Sequence, residues 1–181
     1  MNVFAQLTYR FKQFWWGISA RPLTADQQAD IQTVLSVTEY HLYQQYSKND
    51  QQHGHRVLQT LRQAGYNHPD LLTAGLLHDV GKSRVNMTVI DRTIVVLGQI
   101  LAKKQAAQWG TLPLETAARW QRPFVVREQH PQWSAEMAQQ AGSSPMAIAL
   151  MRYHQDPLET VPSQDPLPEL LIQLKWADDL N

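Results

Sequence analysis

The stretch Leu71-Leu72-Thr73-Ala74-Gly75-Leu76-Leu77-His78-Asp79-Val80-Gly81-Lys82 constrains the chain more than any other. Leu71, Leu72, Ala74, Leu76 and Leu77 leave almost no polar face, so the segment predicts a helix buried on all sides. Asn67 and Pro69 supply its start signal, and Gly81 suits the stop position just past its end. A histidine and an aspartate side by side in its last turn are costly there unless they are paired or bind a metal. Seven His and ten Asp in 181 residues give roughly 0.4 such pairs by chance, so the pair alone carries little. Its place at the end of an apolar helix, ahead of Gly81 and Lys82, makes it far more specific.

Composition narrows the setting. A chain of 181 residues suggests one domain with room for a good core. Zero net charge leaves no basic field to hold nucleic acid, so no nucleic-acid partner is expected. Without cysteine there is no disulfide and no thiolate site, so any transition metal must use His and carboxylate. That composition fits the cytoplasm. No apolar run approaches the ~18 residues of a spanning helix. Arg10 and Lys12 interrupt any signal-peptide core.

Along the chain, helical periodicity dominates. Val3, Phe4, Leu7, Phe11, Phe14, Trp15 and Ile18 recur at helical spacing, which predicts an amphipathic helix over residues 3–17. Its nearest charges are Arg10, Lys12 and Arg21. Basic residues beside Trp and Phe suit a helix lying on a membrane surface. They suit equally a helix docked on its own domain or on a second subunit, and aromatic stripes are more often core. Thr24 with Gln27 gives a capping box, and Ile31, Leu35, Thr38, Leu42 and Tyr46 then predict one long helix ending near Ser47-Lys48-Asn49. His41 lies off that stripe and reads as a surface residue. His53, Val57, Leu61 and Ala64 share one face of the next helix, which Gly65 closes. His55 points elsewhere, and His68 sits in the following turn.

After Lys82, residues 88–108 predict a helix despite the β-branched run Ile94-Val95-Val96. A short helix over roughly 114–121 follows the break at Trp109-Gly110 and Pro113. Pro123 sits in an irregular connection ending at His130-Pro131, and Pro131 starts a helix running to Gly142, which leaves His130 at a helix mouth. Ser144-Pro145 opens another helix, with Ala147, Leu150 and His154 on its inner face. Pro157, Pro162, Pro166 and Pro168 mark a loop, and a last helix begins near Leu167. There Leu167, Leu171, Leu174 and Asp178 share a face, and a carboxylate continuing a leucine stripe needs a positive partner.

His78-Asp79-Val80-Gly81-Lys82 resembles the central motif of the HD superfamily of metal-dependent phosphohydrolases, whose signature runs H…HD…D. His53-Gly54-His55-Arg56-Val57 resembles its first-histidine motif, and Trp176-Ala177-Asp178 its terminal element. His130-Pro131…Ala135 resembles a further histidine element, with Ser134 where a glycine is usual. Tyr153-His154-Gln155-Asp156-Pro157 resembles the later histidine segment. It lacks the second histidine and the Gly-Tyr-Pro of the cyclic-di-GMP hydrolases, so that branch is not expected.

The resemblance implies an all-α fold, a helical bundle of roughly eight to nine helices around a buried metal site. Residues 48–181 would form the HD domain and residues 1–47 a helical extension packed on it. It implies that His53, His78, Asp79 and Asp178 hold one metal and that His130 and His154 hold a second, with Asp79 bridging. Imidazole and carboxylate suit one or two divalent transition metals, Mn, Fe, Co, Ni or Zn. Asp79 and Lys82 would be the catalytic residues, Lys82 meeting a substrate phosphate. The implied activity is metal-dependent hydrolysis, by activated water, of a nucleotide or other small phosphate ester. The alternative is a non-catalytic metal-bound sensor, or a scaffold. Residues 3–18 would supply any peripheral membrane or dimer contact.

Overall fold

The computed structural model describes residues 21–181, so the amphipathic helix expected over residues 3–17 lies outside the described residues. The described chain is all-α. Helix α1 (Ala25–Gln32) opens on the expected box: the Gln27 N–H donates to Thr24 Oγ1, and the Gln27 side chain accepts from the Thr24 N–H. The single long helix expected after it is two. Ser36 and Glu39 form a second capping box, which starts α2 (Val37–Tyr43) afresh. Ile31, Leu35, Leu42 and Tyr46 are buried as their spacing predicts, whereas Thr38 is exposed and its hydroxyl donates to the Ala141 carbonyl.

Helix α3 (Lys48–Gln63) carries His53, and Gly65 ends it with a φ of 83° that L side chains rarely adopt. Val57 and Leu61 are buried, but Ala64, expected to complete their stripe, is exposed. Helix α4 (Pro69–Leu77) is the buried element its sequence predicts: every residue from Leu71 to Leu77 is buried. It stops at Leu77, and a short 3-10 helix, Val80–Arg84, carries the chain onward.

Gly81 therefore does not stop α4. It lies inside the 3-10 helix, and its φ is not positive. Its role is close approach: an added Cβ would run into the His130 carbonyl oxygen and lie 2.8 Å from Ser134 N and 2.9 Å from Trp133 Cβ. Two of those three atoms are backbone, which cannot swing aside. Gly81→Ala is expected to destabilise the fold by about 3 kcal/mol, the upper end of ordinary overpacking. Urea denaturation followed by circular dichroism measures it, and a variant within ~0.5 kcal/mol of wild type would refute the packing argument.

The segment expected as one helix over 88–108 is also two, α5 (Val89–Leu101) and α6 (Lys103–Gly110). Thr88 and Asp91 cap α5, and Ala102 leaves helical geometry at φ −144°. The break lets both pieces lie against α7 (Arg122–Gln140). The short helix expected over 114–121 does not form. There Thr116 Oγ1 donates to the Pro113 carbonyl and the Gln121 side chain accepts the Ala118 N–H, local bonds that compete with helix. The reading of Pro131 is corrected as well: it sits inside α7, not at a helix start. Helices α8 (Pro145–Tyr153) and α9 (Leu167–Asp179) follow as expected.

Helices α3, α8 and α9 pack around α4, and α7 packs on the 3-10 helix and on α8. The main core joins Leu58, Leu71, Leu76, Leu150, Leu171 and Leu174 with Ile31 and Leu42 from the first two helices and Tyr46 from the turn after them. A central helix that is apolar all round is what allows polar groups at its end to meet side chains from four other elements.

Candidate metal centre

Each polar side chain of the centre reaches it because a core stripe continues into it. His53 extends the Val57–Leu61 face of α3, and Asp178 extends the Leu167–Leu171–Leu174 face of α9. His78 and Asp79 follow α4 directly, and His154 caps α8 just after buried Leu150 and Met151. His130 projects from the middle of α7, fully buried. All six residues singled out in the sequence as metal ligands converge. Within each of two groups the candidate ligand atoms lie within 4.8 Å of one another: His53, His78 and Asp178 in one, Asp79, His130 and His154 in the other. His41, His55 and His68 stay outside. His55 instead meets Asp30 at 3.1 Å.

Three of the histidines are oriented by their own helices. The Nδ1–H of His78 donates to the Gly75 carbonyl at 3.2 Å, and that of His154 to the Met151 carbonyl at 2.7 Å. His130 Nδ1–H lies 2.9 Å from both the Val126 and the Arg127 carbonyls. Pro131 explains the second contact. It has no N–H to give the Arg127 carbonyl four residues back, and the His130 ring supplies a donor instead. A carbonyl only accepts, so each Nδ1 carries a proton and each Nε2 is turned to the centre, the arrangement that orients metal-ligating histidines.

Asp79 sits between the two groups. Its Oδ1 is 3.1 Å from His130 Nε2 and 3.7 Å from His154 Nε2, while its Oδ2 is 3.6 Å from His78 Nε2 and pairs with Lys82 Nζ. On the other side Asp178 Oδ1 lies 2.9 Å from His53 Nε2 and 3.4 Å from His78 Nε2. Burial disfavours the charge on both carboxylates, but their cationic neighbours overcome it. Lys82 and His78 hold Asp79 well below the usual carboxylate range, and His78 with the His53 bond does the same for Asp178. Burial also opposes a charge on His78, yet Asp79 and Asp178 together push it up to about 9. His154 goes the other way, pulled down to about 3 by burial and by the neighbouring His78 and His130, and burial lowers His130 too.

These protonation states expose a gap in the bonding. Neutral His154 presents its Nε2 lone pair toward the Asp79 carboxylate 3.7 Å away, and that buried nitrogen makes no hydrogen bond. His78 Nε2, protonated in the metal-free protein, has only the Asp178 and Asp79 carboxylates, at 3.4 and 3.6 Å. Buried nitrogens left without a bonded partner are costly as they stand. A divalent cation would satisfy them, and all-nitrogen-and-oxygen donors with fixed imidazole tautomers fit a transition metal.

Sequence reasoning missed the residues that hold the centre in place. Tyr46 was placed on a core stripe, yet its hydroxyl accepts the Asp79 N–H at 3.0 Å. Ser134, where the motif usually has glycine, accepts the Gly81 N–H at 2.8 Å and so ties α7 to the 3-10 helix. The Gln155 amide reaches His130 Nε2 at 3.3 Å. Ser134 stands out in the sequence only as a departure from the motif's usual glycine, one turn after His130.

The HD domain family model matches residues 51–181, most of the chain and all six candidate ligands. Neither the curated proteins nor the solved structures contain a match to the chain. Fold, converging motifs and family match agree, and the chain belongs to the HD-domain family of metal-dependent phosphohydrolases.

Proposed function

We propose that the protein hydrolyses a phosphate ester of a nucleotide or another small molecule. His53, His78, Asp79 and Asp178 would hold one divalent ion, and Asp79, His130 and His154 a second. One observation carries the reading: the two oxygens of Asp79 face different imidazole groups, as a bridging carboxylate must. Divalent ions held there supply Lewis acidity and a nucleophile at neutral pH, and neutralise phosphoryl charge. The chain's own residues supply the rest. Asp79 anchors Lys82, whose pKa is raised by that carboxylate against the effect of burial, so the ammonium stays charged. Being partly exposed, it can turn from Asp79 toward an entering phosphate. Gln155 offers a neutral amide beside His130, which is already fixed by α7.

Protein purified without chelator, assayed for metal content and then on a panel of nucleotides and phosphodiesters, tests this. Turnover of at least one ester class by the metal-loaded protein is expected. Absent turnover across the panel with full metal content would favour a metal-bound sensor.

Proton release gives an independent check. In the metal-free protein His78 keeps its second proton up to about pH 9. An ion bound at Nε2 must displace it, so apparent affinity should rise about tenfold per pH unit until pH 9 and then level off. The same proton has the opposite effect on the metal-free fold. Its stabilisation is complete below the ordinary value of 6.5 and is lost as pH rises through about 9. Calorimetric titration at pH 7 in buffers of different ionisation enthalpy should show about one proton released with the first ion. Binding without proton release would remove His78 from the ligand set.

A further inference from the structure

The six candidate ligands and Lys82 do not account for every charge at the centre. The side chains of His78, His130 and His154 are only 1, 1 and 3% exposed, whereas those of Asp178 and Lys82 are 35 and 33% exposed. The centre therefore opens to solvent beside Asp178 and Lys82. Asp50, a buried carboxylate outside the ligand set, lies one turn before His53 on the same side of α3. Burial opposes the charge on Lys82, and Asp79, Asp50 and Asp178 together outweigh it, so Asp50 acts on the same ammonium as two of the ligand carboxylates. Its other cation is Arg92 of α5. Both terminal nitrogens of that guanidinium donate to Asp50, the nearest contact being 3.2 Å. One carboxylate thus serves two cations, Lys82 from the 3-10 helix and Arg92 from α5.

We propose that Arg92 is a specificity residue that leaves Asp50 to bind a second phosphoryl group, linked to the one over the proposed ions, so that the preferred substrates are diphosphates. This rests on the phosphate-ester reading of the same centre and adds a substrate class to it. A guanidinium fork fits a phosphoryl group as well as it fits a carboxylate, so Asp50 holds Arg92 in a geometry that suits the incoming group. The pair can open without orphaning Asp50. The Ser47 hydroxyl donates to the same carboxylate at 2.6 Å, and Asp50 sits in the first turn of α3, where the helix dipole favours an anion. Arg92 is the partner able to swing, being 43% exposed on a long stem. Charge decides what it swings to. A phosphoryl group carries about −1.5 to −2 and three acceptor oxygens, so it can take the guanidinium from a carboxylate of charge −1, whereas another carboxylate only exchanges like for like. With Lys82 meeting the phosphate over the ions, Arg92 is left for its neighbour.

Calorimetric titration of the full chain with two probes that cannot be hydrolysed tests this. The probes are inorganic phosphate and methylenediphosphonate, whose P–C–P link replaces P–O–P. Manganese(II) at the same saturating concentration in cell and syringe keeps the centre loaded. Arg92→Ala should weaken the diphosphonate at least about tenfold, the loss of a charge-assisted contact, and phosphate by less than about twofold. Arg92→Lys, which keeps the charge and loses the fork, should recover part of the diphosphonate affinity. Should Arg92→Ala lose its helical circular dichroism, Arg92→Gln replaces it. Equal weakening of both probes would overturn the proposal, since Arg92 would then act only through overall charge or fold. Unchanged affinity for both, or no binding of either probe to wild type, would overturn it too. Neither probe is cleaved, so the result is independent of turnover. A failed ester panel with Arg92-dependent diphosphonate binding would remove the hydrolase and leave Arg92 as the specificity residue of a diphosphate sensor.

Discussion

Asp79→Ala is expected to leave the purified protein without its metal and without measurable turnover. Asp79 is the one side chain whose two oxygens face both imidazole groups, so its loss weakens both proposed ion sites at once. Turnover should fall by about three orders of magnitude or more, the upper end of what losing one electrostatic stabiliser costs. The substitution also carries a stability cost. In the metal-free protein it leaves the Lys82 ammonium and protonated His78 without their shared partner, a loss of about 3–5 kcal/mol for a broken buried pair. Asp79→Asn keeps the shape and isolates the charge. Elemental analysis and urea denaturation of both variants distinguish the two effects. If Asp79→Asn retains the full metal complement, the assignment of the centre is wrong.

The second large effect separates two ions from one. His130 and His154 lie outside the four-residue signature. A buried histidine that donates to a helix carbonyl has an ordinary structural reading, and both of them do so. If they hold a second ion, His130→Ala and His154→Ala should each lower the metal count from about two toward one per chain, as a split two-metal site requires. Turnover should fall by about 10²-fold or more, the least that losing one electrostatic stabiliser costs. The four ligands proposed for the first ion are untouched, so folding should largely persist. His130→Ala carries an added penalty, because the Arg127 carbonyl loses the donor that stands in for the missing Pro131 N–H, worth about 1–3 kcal/mol if left buried and unsatisfied. Unchanged metal content in both variants would leave a one-ion centre, with these histidines reassigned to substrate contact or packing.

Much of the centre was legible because helical phase and burial are local properties. A leucine stripe that ends in Asp178, or a Val–Leu face that begins at His53, states which way its polar member points. The apolar run Leu71–Leu77 states that it is central, since no sparsely covered helix tolerates such a surface. The all-α class was implied by the family resemblance, and the same periodicity agrees with it. Helix boundaries were less legible where two local signals competed. Ser36 and Glu39 make a capping box inside a continuous stripe, and the cap decided the break. Pro131 reads as a helix start by every local rule, yet α7 runs through it because His130, itself part of the centre, donates to the carbonyl that proline leaves free.

Sequence alone set His53, His154 and Asp178 on inward faces and His78 and Asp79 at the end of a buried helix, because periodicity is encoded within single helices; His130 entered only through the family resemblance. Only the tertiary structure decided how they meet. That Asp79 divides its oxygens between two imidazole groups depends on α4, α7, α8 and α9 packing together, a matter of long-range shape rather than local pattern. The same holds for Gly81. Its small size reads locally as a helix stop, but the physical demand comes from the backbone of α7, some fifty residues later, pressing where a Cβ would be.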